Sequence, residues 1–237
     1  MRKMRRIAIV LLILLVAGSA QAQLQVTAPG VKWDSAYRFD KFNAFRMEFF
    51  AKGNELMRTL DYRTCYQSDG TSFMVKLLAR NKGNGMETII DQKNQVAIQI
   101  MGSGGDSEPF FNAGGYKMPA PEDLKKLEIL PTDEVRQILG FDCKKYTYTY
   151  KKIFGEVWIT DQVNLSNDVG IFRAAKMAAL HNTLSIGGFV VEMTSEDAKG
   201  GKTVMKTLQL NQNQRIEVDL KGVKMNTAIN KVNYFTF

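Results

Sequence analysis

Histidine is almost absent from this chain of 237 residues, and His181 is the only one. Sites that bind a metal ion through several histidines are therefore excluded, and a serine or cysteine nucleophile has one candidate base. His181 closes an alanine-rich segment that is predicted to be helical, where a histidine commonly interacts with the helix dipole. We predict no catalytic residue, no metal site and no cofactor.

Cysteine is nearly as rare, because only Cys65 and Cys143 occur. In an oxidising compartment such a pair is a candidate disulfide. It would close a loop of roughly 80 residues and stabilise the fold by about 4 kcal/mol in the chain-entropy model. The alternative is two separate buried thiols, since a sequence does not show whether two Cα atoms come within bonding range.

Long apolar runs are missing except near the N-terminus, where Ile7–Ala17 follows four basic residues and precedes Ala20-Gln21-Ala22. This order is typical of a secretory signal peptide that is cleaved after Ala22. The run is too short for a permanent membrane-spanning helix, and no cysteine follows it that could carry a lipid. We predict a signal peptide over residues 1–22 and one soluble domain over residues 23–237, in the periplasm of a Gram-negative bacterium.

The excess of positive over negative charge is also small once the signal peptide is removed. The chain has 32 basic and 24 acidic side chains, but four of the basic ones lie in residues 1–22, which leaves 28 against 24. This balance, together with export, argues against nucleic acid as a partner.

Alternating apolar residues and turns rich in Gly and Asn are present, and they indicate antiparallel strands. Strands are predicted over residues 42–50, 56–67, 72–80, 86–91, 95–101, 189–195, 202–210, 214–220 and 232–237. The segment 102–121, rich in Gly and Pro, is predicted to be a loop.

Two helices are predicted among these strands. Pro121–Leu130 begins with proline, has acidic residues in its first turn and is followed by Pro131. Asp168–His181 keeps its apolar residues at helical spacing, so that one face could cover a sheet.

Residues 138–162 read ILGFDCKKYTYTYKKIFGEVWITDQ and predict a hairpin. Tyr146, Tyr148 and Tyr150 alternate and share one face of its first strand. Each of them can bury roughly 150–250 Å², so they need a helix or a ligand to pack against. With Trp158 on the returning strand, they are our candidate ligand-binding residues.

The same hairpin carries a resemblance to a known family. Ile138–Tyr146 and Glu156–Thr160 resemble exported proteins of unknown function from Bacteroidetes-type bacteria, which are related to the LolA/LppX-like lipoprotein-carrier superfamily. Met86–Met101, Gly188–Met193 and Thr203–Met205 are similar to further parts of that pattern, whereas the last 21 residues match none of it.

The resemblance implies a mainly β (α+β) fold: a strongly curved antiparallel sheet, or incomplete barrel, with two short helices on its concave side. In carriers of this fold the concavity holds acyl chains. We therefore expect a non-catalytic binding or carrier protein for a lipid or another hydrophobic ligand, with peripheral membrane contact or none. The alternatives are a module that binds an envelope protein without a small-molecule ligand and, less favoured, a hydrolase or thiol enzyme.

Overall fold

The structure is a computed structural model of the chain, and it describes residues 30–67, 69–78, 85–103, 108–116, 127–163 and 187–227. Every regular element within these ranges is a strand. In the same ranges we find no helix that is long and apolar enough to cross a membrane.

Fourteen strands lie in the described ranges. They are β1 (Ala36–Phe39), β2 (Lys41–Phe50), β3 (Leu56–Tyr66), β4 (Ser72–Leu78), β5 (Gly85–Asp91), β6 (Val96–Ser103), β7 (Phe110–Gly115), β8 (Leu127–Ile138), β9 (Phe141–Tyr150), β10 (Ile153–Thr160), β11 (Phe189–Asp197), β12 (Lys202–Asn211), β13 (Ile216–Asp219) and β14 (Met225–Asn226).

Twelve of these strands form one large curved sheet in the order β14-β7-β6-β5-β4-β3-β2-β12-β11-β10-β9-β8. Its strand pairs are antiparallel except for β14 with β7, which is parallel. The sheet is not closed into a barrel, so β14 and β8 are its edges. The remaining strands, β1 and β13, form a separate antiparallel pair.

One face of the large sheet carries Tyr146 and Tyr148, and we call it the tyrosine face. Side chains that stand directly opposite one another form an apolar row on this face across six neighbouring strands. In the order of the sheet (β3, β2, β12, β11, β10, β9), the row consists of Leu60, Met47, Met205, Met193, Val157 and Tyr146. All six belong to, or pack against, the main hydrophobic cluster of the protein. The alternation in the sequence produces this row because every second side chain of a strand points to the same side.

The opposite face is divided in two. Over β2 to β7 the part of this face under the β1–β13 pair is apolar, and that pair covers it with Tyr37 and Phe39, which are both 1% exposed. Tyr37 also donates a hydrogen bond from its hydroxyl to Asp91 Oδ2 at 2.8 Å. Further along the same strands the face carries two ion pairs, Arg46–Asp61 and Lys76–Glu87. Over β9 to β12 this face is charged, with Lys145 and Glu192 on either side of Trp158.

Most of the predicted strands are confirmed. The eight that lie before residue 221 match β2 to β6 and β11 to β13 to within two residues at either end, and the hairpin within 138–162 is formed by β9 and β10. The predicted loop at 102–121 is wrong in part, because β7 lies within it. The helix at 168–181, the strand at 232–237 and the signal peptide lie outside the described residues.

The helix predicted over Pro121–Leu130 is wrong where the structure describes it, because residues 127–130 begin strand β8. Leu127 pairs with Tyr150, and Ile129 pairs with Tyr148. Pairing with a distant strand thus overrides the local helix signals. Two further features make the strand tolerable: β8 is an edge strand, where a proline is accepted, and its register shifts between Pro131 and Val135.

Candidate functional site

The four candidate ligand-binding residues do not share one surface. Tyr148 and Tyr150 are buried, at 3% and 4% exposure, whereas Tyr146 is only partly buried. Trp158 stands opposite Lys145, while its neighbour Val157 stands opposite Tyr146. The structure therefore places Trp158 on the face opposite to the three tyrosines.

Trp158 packs against the main hydrophobic cluster and also has cationic partners. The Arg136 guanidinium carbon lies 4.0 Å from the centre of the indole ring, and Lys145 Nζ lies 5.9 Å from it. Arg136 also forms an ion pair with Glu192, and Lys145 forms one with Glu156 at 3.0 Å. Cation–π contacts of this kind stabilise a folded surface.

A cavity of about 670 Å³ lies where β8, β9 and β10 approach the start of β11. This volume is within the range of roughly 300–1,000 Å³ that is usual for small-molecule sites. Its apolar wall contains Cys143, Tyr146 and Ile159. Its polar lining includes Arg136, Gln137, Asp142, Lys144, Asp161 and Gln162.

The apolar wall of the cavity continues into the core. Cys143, Tyr146 and Ile159 all belong to, or pack against, the main hydrophobic cluster. Tyr146 is also the last member of the apolar row on the tyrosine face. A molecule in the cavity would therefore contact side chains that are part of the hydrophobic core or pack against it.

Hydrogen bonds hold the polar lining in place. Gln137 Nε2 donates to Asp142 Oδ1 at 3.1 Å, and the backbone N–H of Asp142 donates to Gln162 Oε1 at 2.9 Å. These contacts link the end of β8 to the segment after β10. The site thus combines an apolar wall with a lining that carries both positive and negative groups.

Gly188, which lines the cavity just before β11, lies in close contact with the end of β10. A Cβ atom at this position would lie 2.6 Å from Ile159 Cγ2 and 2.7 Å from the carbonyl oxygen of Thr160. Its φ of +87° is a further reason why glycine is needed there.

The structure does not bring the two cysteines together, and both are free, buried thiols. Cys65 belongs to the cluster under the β1–β13 pair, whereas Cys143 belongs to the main cluster. Burial raises the pKa of the Cys65 thiol to about 12, and it also raises the pKa of Cys143. Since the thiolate is the nucleophile, these pKa shifts do not favour a thiol enzyme at neutral pH.

His181 lies outside the described residues. In the part of the chain that the structure describes, no group of three or more His, Cys, Asp or Glu side chains could hold a metal ion.

A buried polar row on the tyrosine face was not predicted. Directly opposed positions on successive strands place Asn43, Thr64, Thr88, Gln99 and Asn112 in it, with Val75 between the two threonines. The polar members are all buried, at 5% exposure or less. Asn112 accepts a hydrogen bond from Asn226 Nδ2 at 3.1 Å. Within the described part of the chain, neither Asn43 Oδ1 nor Asn43 Nδ2 has a hydrogen-bond partner.

We expect Asn43→Leu to stabilise the protein. It replaces a buried, unpaired amide with an apolar group of similar size, which removes a desolvation cost of about 1–3 kcal/mol. Thermal unfolding followed by circular dichroism should show a Tm higher by several degrees. The matched control is Asn112→Leu, which removes the acceptor for Asn226 and should lower the Tm. Equal losses of stability in both variants would contradict the expectation.

Comparison with known proteins gives only distant structural similarity. No family model matches the chain, and no curated protein matches it. Among solved structures, it is similar to PNGF-II with 15% identity and a TM-score of 0.37, over 78% of this chain. The chain spans only 30% of the length of PNGF-II.

Two other solved structures are similar over most of both chains. One is a LolA superfamily protein from Nitrosomonas europaea, with 10% identity and a TM-score of 0.32, over 78% of this chain and 89% of that one. The other is a DUF1329 family protein from Desulfovibrio piger, with 10% identity and a TM-score of 0.22, over 84% and 89%. Structural neighbours thus include a LolA superfamily protein and a DUF1329 family protein, at low identity and TM-score, and no family match supports the narrower Bacteroidetes family.

Proposed function

We propose that this protein is a non-catalytic binding or carrier protein for a lipid or another hydrophobic ligand in the cell envelope. One observation carries the proposal. The cavity between β8 and β11 has an inner wall that belongs to the apolar core and a lining that is charged. An amphiphilic molecule fits this arrangement, with its apolar part against Tyr146 and Ile159 and its polar part near Asp142 and Lys144.

The hydrophobic effect is large enough to bind a ligand without a dedicated polar motif. An acyl chain of about fifteen methylenes gains ~0.8 kcal/mol for each one buried, or about 12 kcal/mol before the cost of association. Three methionines, Met47, Met193 and Met205, stand side by side in the apolar row. They are buried behind the cavity wall, where their flexible side chains fill the core.

The proposed location depends on the N-terminal sequence. Four basic residues, one apolar run and Ala20-Gln21-Ala22 have the order of a cleaved signal peptide. The intact mass of the protein isolated from the cells that produce it tests this directly, because cleavage after Ala22 starts the mature chain at Gln23.

Two variants test the proposed function. Tyr146→Ala removes an aromatic ring from the cavity wall, so it should weaken binding of the apolar dye N-phenyl-1-naphthylamine about tenfold. Phe110→Ala removes an aromatic ring that is 52% exposed on β7, near the other edge of the sheet, and should change dye affinity by no more than about twofold. A fluorescence titration gives both values, and native mass spectrometry of gently purified wild-type protein should detect a bound apolar molecule.

The matched pair separates ligand binding from general damage to the fold. If both variants lose dye binding equally, the dye reports on packing and not on the cavity. If the wild-type protein binds neither the dye nor an extractable molecule, the proposed function is wrong.

A module that binds an envelope protein is the second candidate, and one observation favours it. On the edge strand β8, Leu130 is 64% exposed and Val135 is 70% exposed. Apolar side chains on a sheet edge can contact a partner chain. A co-purifying protein together with an empty cavity would favour this candidate.

A further inference from the structure

Three hairpins end side by side at one end of the large sheet. They join β2 to β3, β11 to β12 and β9 to β10, and these six strands are neighbours in the sheet. The first two turns touch, since a Cβ atom on Gly200 would lie 3.3 Å from Lys52 Cγ. We call this end the hairpin-tip surface. It comprises Lys52, Glu55, Leu56, Met57, Arg58, Lys151, Lys152, Ile153, Phe154, Glu196, Asp197, Lys199 and Lys202.

Exposed apolar side chains are concentrated on the hairpin-tip surface. The described part of the chain has nine large apolar side chains that are exposed, and four of them lie here. Leu56 is 52% exposed, Met57 is 67%, Ile153 is 36% and Phe154 is 47%. Single exposed apolar residues are common on proteins, but a group at the tips of adjacent hairpins indicates a contact surface.

The charge around these apolar side chains is mainly positive. The hairpin-tip surface has five lysines and one arginine against three acidic residues, a net charge of +3. One of the acids is engaged within its own turn, because Asp197 Oδ1 accepts hydrogen bonds from the backbone N–H of Lys199 at 2.7 Å and of Gly201 at 3.0 Å. Lys202 stands directly between Phe50 and Glu196, and Phe154 stands opposite Glu196, so basic and apolar groups are interleaved.

We propose that the hairpin-tip surface docks the protein on an anionic lipid bilayer. Lysines attract a negatively charged headgroup layer, while exposed Leu, Met, Ile and Phe side chains at the tips of turns can enter its outer part without a change in the sheet. The cavity lies at the other end of the same strands. Lys151 follows the last residue of β9 and lies nine positions after Asp142, or about 30 Å of extended chain. Docking and ligand binding therefore use different residues, and either can be tested without the other.

Vesicle co-sedimentation tests the docking directly. The protein is purified in the form that the producing cells accumulate, and its intact mass is checked. It is mixed with vesicles of phosphatidylcholine alone, or with roughly one third phosphatidylglycerol. We expect binding to the anionic vesicles that decreases with added salt, and little binding to the neutral ones.

Two sets of substitutions separate the charged and the apolar parts. Lys151→Gln with Lys152→Gln should lower partitioning to anionic vesicles about 25-fold, or about fivefold for each lysine. Phe154→Ser should lower it about tenfold, because an inserted aromatic ring is lost. Leu208→Ser is the matched control, since Leu208 is also 47% exposed but lies in the middle of β12. It should change partitioning by no more than about twofold.

Four results would overturn the docking proposal. The first two are equal binding of the wild-type protein to neutral and anionic vesicles, and no binding to either. The others are a loss in Leu208→Ser as large as that in Phe154→Ser, and recovery of a soluble protein partner on this surface without vesicle binding. All the substituted side chains are exposed, and unchanged circular dichroism verifies folding in each variant.

Discussion

Gly155→Ala is expected to destabilise the protein by more than about 3 kcal/mol, which is enough to unfold many domains. A Cβ atom on Gly155 would lie 1.9 Å from the carbonyl oxygen of Thr194 and 3.1 Å from the Cα of Ser195. Both are backbone atoms of β11, so the contact is relieved only if β10 and β11 separate. Since those strands hold Val157 and Met193 in the apolar row, the core would be disturbed as well.

A second glycine provides the control for this prediction. Gly222 has a φ of +74°, and a Cβ atom on it would meet no other atom of the described residues within 4 Å, so alanine there introduces only backbone strain. Gly222→Ala should therefore cost about 1–2 kcal/mol. Urea denaturation followed by tryptophan fluorescence gives both free energies of unfolding. Equal losses in the two variants would contradict the close approach of β10 to β11.

Alkaline pH is expected to destabilise the protein strongly. Burial raises the pKa of Cys65 from 9.0 to about 12, and it raises the pKa values of Tyr62 and Tyr148 from 10.0 to about 12. In the unfolded chain these groups lose their protons near pH 9 and pH 10, whereas in the folded protein they stay neutral. The stability that they contribute is complete below pH 9 and is lost as the pH rises towards 12.

The size of this effect follows from the pKa shifts. One pKa unit corresponds to about 1.4 kcal/mol, so Cys65 would account for about 4 kcal/mol and each tyrosine for about 3 kcal/mol by pH 12. Burial also raises the pKa of Tyr66, which acts in the same direction. Thermal unfolding between pH 8 and pH 12 should therefore show a steep fall in Tm.

Cys65→Val isolates the thiol contribution to this pH dependence. The substitution keeps an apolar side chain in the cluster under the β1–β13 pair but removes the titrating group. Its Tm should fall less between pH 9 and pH 10 than the wild-type Tm, because only Cys143 and the buried tyrosines still lose protons in the unfolded chain there. A wild-type Tm that does not change up to pH 11 would show that these groups are not buried as the structure describes.

The central strands could be predicted because their signals are local. From residue 42 to 101, apolar residues alternate and Gly or Asn marks the turns. Strands that follow one another along the chain are therefore also neighbours in the sheet. The segment Leu127–Ile138 gives no such signal. Its proline and acidic residues are typical of a helix boundary, and only the distant partner β9 makes it a strand.

The candidate site was predictable only in part. Alternation placed the three tyrosines together, but the face of Trp158 depends on the register of the hairpin. A two-residue turn at Lys151 and Lys152 sets that register, and Lys151 adopts a φ of +59° that is uncommon for lysine. No Asn-Gly or Asp-Gly pair marks this turn, so its length was not evident from the sequence.

The cavity could not be predicted because its residues come from the ends of four strands and the segments that follow them. Gly188 and Gln162 are separated from Cys143 along the chain and meet it only after the sheet has formed. The burial of Asn43 without a hydrogen-bond partner among the described residues was not predicted either, because its strand has an ordinary mixture of apolar and polar residues.

The irregular edge at β8 has a consequence for how copies of this chain behave at high concentration. An open sheet ends in N–H and C=O groups that can recruit another strand. On β8, Pro131 supplies no N–H, and the shift in register before Val135 interrupts the regular spacing, with Asp133 and Glu134 adding negative charge there. Edge-to-edge pairing of two copies is therefore disfavoured at this border, which helps an unclosed sheet to remain dispersed.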